Sequence, residues 1–274
     1  MPRIIQLSRP DAPELEPYRQ LTNPHILRQA GLFAAEGRFV VERLVDRMPA
    51  RVESLLVTPG GLEALAGTFE RLPADTPVYV APRAVTREIV GYVFHRGCLA
   101  LGRRDPELTP ESVLARDPAT IVLIEGVTDP DNVGSIFRSS LALGGEAVLL
   151  TSRSADPFYR KTIRTSMGAV FQLPWARCGD GRETVEALRA AGWLVVALTP
   201  DAEALPVGDI EVPEDQRLML LAGSEGDGLS GELLRAADLR LRVPMRAGAD
   251  SLNVAVATAI ALATLRPDPG LDGR

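Results

Sequence analysis

The stretch ATIVLIEGVTDPDNVGSIFRSSLALG, residues 119–144, predicts the fold of the larger part of this chain. It begins with an almost continuous apolar run, which is typical of a strand in the middle of a parallel sheet, since such strands are buried on both faces. A turn rich in Asp, Pro and Asn follows, and a helical pattern starts at Gly134. We therefore predict a strand, a polar loop and a helix, the unit from which parallel sheets are built.

The same pattern recurs downstream. Buried-strand patterns stand at EAVLLTS (146–152), GWLVVALTP (192–200), DQRLMLLAGS (215–224) and LRLRVPM (239–245), with helical patterns between them. An alternation of this kind favours an α/β fold with a doubly wound parallel sheet.

The first third of the chain forms a smaller α/β pattern of its own. Residues 24–47 begin and end as helix, and VESLLVT (52–58), PVYVA (77–81) and GCLALGR (97–103) read as strands. Residues 1–20 carry prolines and acids and are expected to be a loose lead-in. The predicted organisation is an N-terminal α/β domain at 1–104, a polar linker at 105–117 and a larger α/β domain at 118–274.

Composition and charge limit the classes of function that are open to this chain. The net charge of −6 argues against a nucleic-acid-binding protein, but residues 1–104 carry 14 Arg against 11 acids, and the remainder carries 16 basic residues against 25 acids. The run RSADPFYRKTIR (153–164) is a second basic concentration, which is either a solvated helix face or a phosphate-binding surface. No apolar stretch is long enough to span a membrane, and the N-terminus lacks the apolar core of a signal peptide. Cys98 and Cys178 match no metal-binding spacing and are expected to be reduced thiols of a cytoplasmic protein.

Three segments are predicted to meet in one site. DPDNVGSIFRSS (129–140), LAGSEGDGLS (221–230) and VPMRAGADSLNVAVATAIAL (243–262) each follow or include a strand and then turn on small residues. The carboxyl ends of parallel strands share one sheet edge, where ligands of such folds bind. The glycine spacing matches neither a P-loop nor a dinucleotide fingerprint.

Each segment also has a purely structural interpretation. Asn132 could cap a helix that carries Arg138 on its surface, the glycines around Glu225 could form an ordinary turn, and Asn253 could cap a core helix. The three segments together, in this order and at this spacing, are far more specific than any one of them.

Taken together, residues 118–266 resemble the SpoU (TrmH-like) branch of the SPOUT RNA methyltransferases. Residues 20–104 resemble the small RNA-binding domain that many members carry, with FAAEGRFVVERLV (33–45) as the best local match. The resemblance implies a parallel sheet with a C-terminal trefoil knot, a homodimer, and S-adenosylmethionine as cofactor. The implied reaction is methylation of a ribose 2′-hydroxyl in ribosomal or transfer RNA.

The resemblance also assigns roles to residues. The implied catalytic residues are Asn132, Arg138, Glu225, Ser251 and Asn253. The implied cofactor-binding residues are Thr199, Leu221, Gly223, Val243, Met245 and Leu252. The candidates for RNA contact are Arg28, Arg38, Arg153, Arg160, Lys161 and Arg164.

Arg138 is expected to assist the 2′-hydroxyl. A guanidinium keeps its proton in proteins, so we prefer a charge partner for the developing alkoxide to a general base, although the sequence leaves both open. Glu225 is expected to position Arg138 or Asn132 through a charge-assisted hydrogen bond.

Three other functions remain open at this point. A related SPOUT enzyme could methylate a base nitrogen, although the pair of Asn132 and Arg138 favours ribose. A non-catalytic RNA-binding or ribosome-assembly factor, and a nucleotide-binding enzyme of unrelated chemistry, are the further alternatives. No metal is implied, because His25 and His95 are isolated.

Overall fold

The computed structural model describes residues 2–92, 97–104, 106–246, 248 and 251–266. The chain forms two compact units. Unit 1 comprises Met1–Pro106 and Phe158–Gln172, and unit 2 comprises Glu107–Pro157 and Leu173–Arg274. The segment Phe158–Gln172 belongs to unit 1 by its contacts, although the sequence assigned it to the C-terminal domain. Of the helices that the structure describes, none has the length and apolar character needed to cross a membrane.

Unit 1 is built on a five-stranded mixed sheet with the order β1-β4-β3-β5-β2. Strands β1, β4 and β3 are parallel, and β5 runs antiparallel to both β3 and β2. The strands are β1 (Arg3–Gln6), β2 (Leu32–Glu36), β3 (Val52–Val57), β4 (Pro77–Val80) and β5 (Cys98–Arg103). The helices are α1 (Glu16–Arg19), α2 (Pro24–Gln29), α3 (Arg38–Arg47), α4 (Pro59–Ala64), α5 (Arg83–Val90) and α8 (Arg160–Thr165).

The N-terminal residues are an integral part of unit 1, so the expectation of a loose lead-in is wrong. Strand β1 pairs with β4 along its whole length. Leu15 and Tyr18 are fully buried, and the Tyr18 hydroxyl lies 2.8 Å from Oγ of Ser54. The apolar side chains of this stretch are too few for a periodic pattern, but Leu15 and Tyr18 fill the core that the sheet provides.

Three phenylalanines attach the segment 158–172 to unit 1. The rings of Phe33 and Phe158 stack with centroids 4.5 Å apart, and Phe171 lies 5.5 Å from Phe33. Gly102 makes room for this stack, because a Cβ there would approach the Phe33 ring to 2.3 Å. Stacked aromatic rings bury large apolar areas, which explains why a segment between two strands of unit 2 packs on the other unit.

Unit 2 contains a seven-stranded parallel sheet with the order β10-β12-β9-β11-β6-β7-β8, which confirms the predicted fold class. The strands are β6 (Thr120–Glu125), β7 (Ala147–Leu150), β8 (Trp175–Arg177), β9 (Leu194–Leu198), β10 (Leu205–Pro206), β11 (Leu218–Gly223) and β12 (Leu239–Arg242). The helices are α6 (Pro110–Leu114), α7 (Pro130–Ala142), α9 (Arg182–Ala190), α10 (Gly231–Ala236) and α11 (Val254–Leu265). The central strands β6 and β11 are almost entirely buried.

The predicted linker is partly folded into unit 2. Thr109 and Ser112 form a reciprocal capping box at the start of α6, and Val113 on this helix is fully buried in the core. A capping box satisfies backbone donors that a short helix otherwise leaves open, so a five-residue helix is stable here.

Candidate active site

The ends of β6 and β11 form the edge on which the site is built. The two strands pair in parallel with Gly223 opposite Glu125, so their following loops start side by side. Beside the β11 loop lies a pocket of about 440 Å³. Five of the six implied cofactor positions line it, namely Thr199, Gly223, Val243, Met245 and Leu252. The sixth, Leu221, is fully buried in the core of unit 2.

Gly223 is required by the packing of this loop. A Cβ at this position would lie 2.3 Å from the carbonyl carbon of Gly228 and from the backbone nitrogen of Leu229. The loop closes on itself through the backbone N–H of Gly228, which donates to the carbonyl of Ser224 at 3.0 Å. The glycine-rich segment is therefore a close-packed wall of the pocket.

Asn253 connects the three predicted segments. Its Oδ1 accepts the backbone N–H groups of Ala255 at 2.9 Å and Val256 at 3.3 Å, which caps α11. Its Nδ2 donates to Oδ1 of Asn132 at 2.8 Å and to Oε1 of Glu225 at 2.5 Å. Both ends of this amide are thus occupied, and the two capping bonds fix which end is the oxygen.

Asn132 does not cap its helix. The cap of α7 is Asp129, whose carboxylate accepts the backbone N–H of Asp131 at 2.9 Å. Asn132 lies in the first turn of α7 and is only 8% exposed. Because Asp129 caps the helix, the Asn132 amide is available to Asn253, and its interpretation as a simple cap is wrong.

Arg138 lies apart from this polar network. It is exposed on α7, and it makes no hydrogen bond or ion pair with any residue that the structure describes. Glu225 was expected to bond Arg138 or Asn132, but among the described residues its carboxylate accepts from Nδ2 of Asn253, which also donates to Asn132. Ser251 is exposed and lines the pocket.

The basic candidates lie mostly in unit 1, and Arg153 lies in unit 2. Arg28, Arg153 and Arg164 are exposed. Arg160 is held within unit 1, because its Nη1 donates to the Tyr92 hydroxyl at 2.6 Å and lies 3.3 Å from the carboxylate of Glu36.

Two other basic candidates also have partners. Arg38 donates to Glu42 at 2.7 Å, and this hydrogen bond raises the pKa of its guanidinium. Lys161 is only partly exposed and has a partner of its own. His95 lies outside the described residues.

The sequence did not reveal the apolar wall of the pocket. This wall comprises Leu198, Leu229, Leu234 and Leu241. Two of these leucines had a detectable signal: Leu198 directly precedes Thr199 at the end of β9, and Leu229 directly follows the glycine-rich loop. Leu198 is predicted only as part of a strand, and Leu229 lies in the predicted site segment 221–230 without a role of its own.

A second cavity, of about 470 Å³, lies on the other side of the loop that carries Glu225. It shares Ser224, Asp227 and Gly228 with the first pocket, and it is also lined by Glu125, Asp180 and Arg153. Its described lining includes both acidic and basic side chains, unlike the mostly apolar first pocket.

The chain matches known proteins along most of its length. Residues 119–263 match the model of the SpoU rRNA Methylase family. An uncharacterised tRNA/rRNA methyltransferase of Mycobacterium bovis is 36% identical over 265 residues, covering 92% of this chain and 88% of that protein. The 23S rRNA (guanosine(2553)-2′-O)-methyltransferase RlmP of Bacillus subtilis is 38% identical over 157 residues, covering 57% of this chain and 61% of that protein.

A solved structure agrees with these relatives. The AdoMet-bound rRNA methyltransferase from Sinorhizobium meliloti superposes with a TM-score of 0.80 at 28% identity, covering 96% of this chain and 98% of that chain.

The pocket of this chain suits S-adenosylmethionine. Its leucines offer an apolar surface to an adenine ring, while Thr199, Glu225 and Asp227 offer oxygen atoms to ribose hydroxyls and an ammonium group. The matching residues, the fold and this pocket lead to one conclusion: the chain belongs to the SpoU rRNA methylase family, whose members are S-adenosylmethionine-dependent RNA methyltransferases.

Proposed function

We propose that this protein methylates a ribose 2′-hydroxyl of ribosomal RNA, with 23S RNA as the first substrate to test. The observation that carries the proposal is the hydrogen-bonded set of Asn253, Asn132 and Glu225, of which Glu225 lines the pocket. The relative from Bacillus subtilis acts on a 2′-hydroxyl of 23S RNA by its name. The three residues of this set lie within residues 119–263, which match the SpoU family model.

The chemistry requires a weak nucleophile to be aligned and activated. When bound, S-adenosylmethionine supplies a methyl carbon that is electrophilic because it is attached to a sulfonium. The hydroxyl oxygen forms a bond to this carbon as the sulfur–carbon bond breaks, and the hydroxyl proton passes to solvent. We propose that Arg138 stabilises the negative charge that develops on the oxygen, because a preorganised cation is most effective at that point.

We propose that the polar set orients the substrate ribose. Asn253 holds Asn132 and Glu225 in fixed positions because its own amide is fixed by the cap of α11. Side chains that are locked by several hydrogen bonds keep a reactive geometry with little entropic cost at the moment of reaction. Ser251, on the lining of the pocket, completes this polar surface.

The proposal is tested by binding and by transfer. Calorimetry of the full chain should show binding of S-adenosylmethionine and S-adenosylhomocysteine but not of NAD or ATP. Methyl-labelled cofactor should then transfer label to a 23S RNA transcript. Binding of NAD or ATP without binding of S-adenosylmethionine, or absence of label in RNA despite cofactor binding, would overturn the proposal.

We propose that unit 1 supplies much of the RNA affinity. Residues 1–104 have a positive charge balance, and Arg28 and Arg164 are exposed in unit 1. Binding through phosphate contacts releases counterions, so RNA affinity should fall steeply as salt is raised. A flat salt dependence contradicts this role.

We propose that the protein is a homodimer. Two neighbouring helices of unit 2, α7 and α11, expose Leu141 to 38% and Val256 to 47%. Sedimentation should show a dimer for the wild type and a monomer for Leu141→Asp. A wild type that sediments as a monomer at all concentrations contradicts the proposal.

Two further features are proposed from the family. We propose that the C-terminal segment is threaded into a trefoil knot; in support, β12 pairs with β9 while α11 returns to pack on α7 and β11. If the chain is knotted, mechanical stretching of the unfolded chain should give a contour length shorter than that expected from its number of residues.

We also propose a cytoplasmic location, since Cys98 and Cys178 are both free and lie in different units.

A further inference from the structure

Phe39 is unusually exposed. With 62% of its surface accessible, it is the most exposed large hydrophobic side chain among the described residues. It lies in the first turn of α3 in unit 1, where the following apolar positions Val40 and Val41 are buried in the core. The packing of α3 therefore uses the two valines but not Phe39, whose ring is accessible to a partner.

The surroundings of Phe39 are charged rather than apolar. The Arg38 guanidinium lies 5.8 Å from the centre of the Phe39 ring. The residue one helical turn further on is Arg43, and the other outward-facing positions of α3 are Glu42, Asp46 and Arg47. An aromatic ring isolated among charges is a poor site for an apolar protein surface, because such interfaces need a contiguous apolar patch.

The charge around this ring is positive. Within unit 1, α3 contacts the turn after α8 through Arg43, which donates to the backbone carbonyl of Met167. Helix α3 carries three arginines, Arg38, Arg43 and Arg47, against two acidic residues. The two acidic residues of α3 are both neutralised by ion pairs, Glu42 with Arg38 and Asp46 with Arg71.

We infer that Phe39 is a stacking platform for an unpaired base of the RNA substrate, with Arg43 beside it for the adjoining phosphates. The inference rests on the proposed function, which supplies RNA as the partner. Bases stack on exposed aromatic rings whatever their identity, and nearby guanidinium groups bind the backbone. A ring with Arg38 beside it and Arg43 one helical turn further on offers both contacts.

The test compares base-dependent with charge-dependent binding. The probes are a 12-nucleotide oligoadenylate and an abasic oligomer of the same length, titrated into the full-length protein. Phe39→Ala and Phe39→Leu should each weaken oligoadenylate binding on the order of tenfold, whereas Phe39→Trp should preserve it. None of the three should change the affinity for the abasic oligomer. Ile4→Ala is the matched control, because Ile4 is 52% exposed on β1, the opposite edge strand of the sheet from β2.

Fluorescence gives a second readout. Trp175 and Trp193 are both buried, so the Phe39→Trp protein has one exposed indole among its described tryptophans. Oligoadenylate should quench that indole and the abasic oligomer should not. With ribosomal RNA, Phe39→Ala should raise KM and leave kcat unchanged, since the ring binds substrate without touching the reacting atoms.

Several outcomes overturn the inference. They are a wild type that fails to bind oligoadenylate, equal affinities for wild type and Phe39→Ala, and an unquenched indole. A change in the sedimentation of the RNA-free protein upon Phe39→Ala would instead identify a protein–protein surface, which also overturns it. If the wild type methylates ribosomal RNA while these results are obtained, only this inference fails and the proposed function stands.

Discussion

The proposed cofactor pocket and the exposed face of α7 differ in how many of their side chains have partners within the chain. At the pocket, both ends of the Asn253 amide are bonded and the loop after Gly223 is packed against its own backbone. On α7, Arg138 is exposed without a described partner, and Leu141 is 38% exposed. We propose from this difference that one chain forms the cofactor site by itself, whereas the arrangement around Arg138 is completed by RNA or by a second copy of the chain.

The largest effect is expected at Arg138, on the exposed face of α7. Arg138→Ala should lower single-turnover methyl transfer by about 10²-fold or more, because it removes a cation from a developing oxyanion. Cofactor affinity, measured by calorimetry, should stay within about twofold, since Arg138 does not line the pocket. Arg138→Lys should restore only part of the rate, because an ammonium cannot replace the planar fork.

A matched control separates this role from general loss of charge. Arg116 is also exposed without a described partner, but it precedes β6 and so lies at the opposite end of the strand from the site. Arg116→Ala should transfer methyl groups at the wild-type rate. If Arg116→Ala and Arg138→Ala lower the transfer rate equally, both effects come from a general loss of positive charge toward RNA.

The next largest effect is expected at Gly223, in the wall of the proposed cofactor pocket. Gly223→Ala places a Cβ against the backbone of Gly228 and should cost about 1–3 kcal/mol of unfolding free energy through overpacking. Cofactor affinity should fall by about tenfold as the loop shifts. Gly226→Ala in the same loop has open space around its Cβ and should bind normally. Normal binding by Gly223→Ala would show that the wall of the pocket is not rigid.

A smaller effect is expected from the amide that connects the segments. Asn253→Ala should cost about 1 kcal/mol of unfolding free energy through loss of the cap, and slow transfer about fivefold. Asn253→Asp keeps a capping oxygen but turns a second carboxylate oxygen toward Glu225 and Asn132, so repulsion should slow transfer at least as much as in Asn253→Ala.

The control for the cap comes from unit 1. Asn23 caps α2 with the same pattern of two backbone donors, His25 and Ile26. Asn23→Ala should therefore destabilise the protein without slowing methyl transfer at saturating RNA. If its transfer rate falls as far as that of Asn253→Ala, the effect at Asn253 is one of stability alone.

The smallest effect concerns the thiols. Burial raises the pKa of Cys98 and of Cys178 to about 11, so both remain protonated near neutral pH. Alkylation at pH 8 should be slow, and it should accelerate about tenfold per pH unit until pH 11. Arg138→Ala should react as slowly as the wild type, whereas Gly223→Ala should react faster if its loop change loosens unit 2. Rapid alkylation of the wild type at pH 8 contradicts the burial.

The sequence predicted the parallel sheet well because its signals are local. The apolar run before Glu125 and that before Gly223 each mark a buried strand, and the small residues after them mark turns. Parallel strands place their carboxyl ends at one edge, so the meeting of Asn132, Glu225 and Asn253 could be expected before the structure was known.

The remaining features depend on packing that the sequence does not display. Strand β2 lies within a stretch that reads as helix at both ends, and it forms because β5 offers an antiparallel partner. The segment 158–172 joins unit 1 through the stack of Phe33 with Phe158. The partner of Glu225 was also mistaken, since only the three-dimensional position of Asn253 decides which group its carboxylate contacts.

The most direct test of the central claim is the chemical identity of the product. Ribosomal RNA isolated without this modification is incubated with the full-length protein and S-adenosylmethionine, digested to nucleosides and analysed by mass spectrometry. We predict one new 2′-O-methylated nucleoside, identified by a methyl group that stays with the ribose upon fragmentation, and its absence with Arg138→Ala. A methyl group that stays with the base, or an RNA that gains no methyl group while the cofactor binds, would contradict the account.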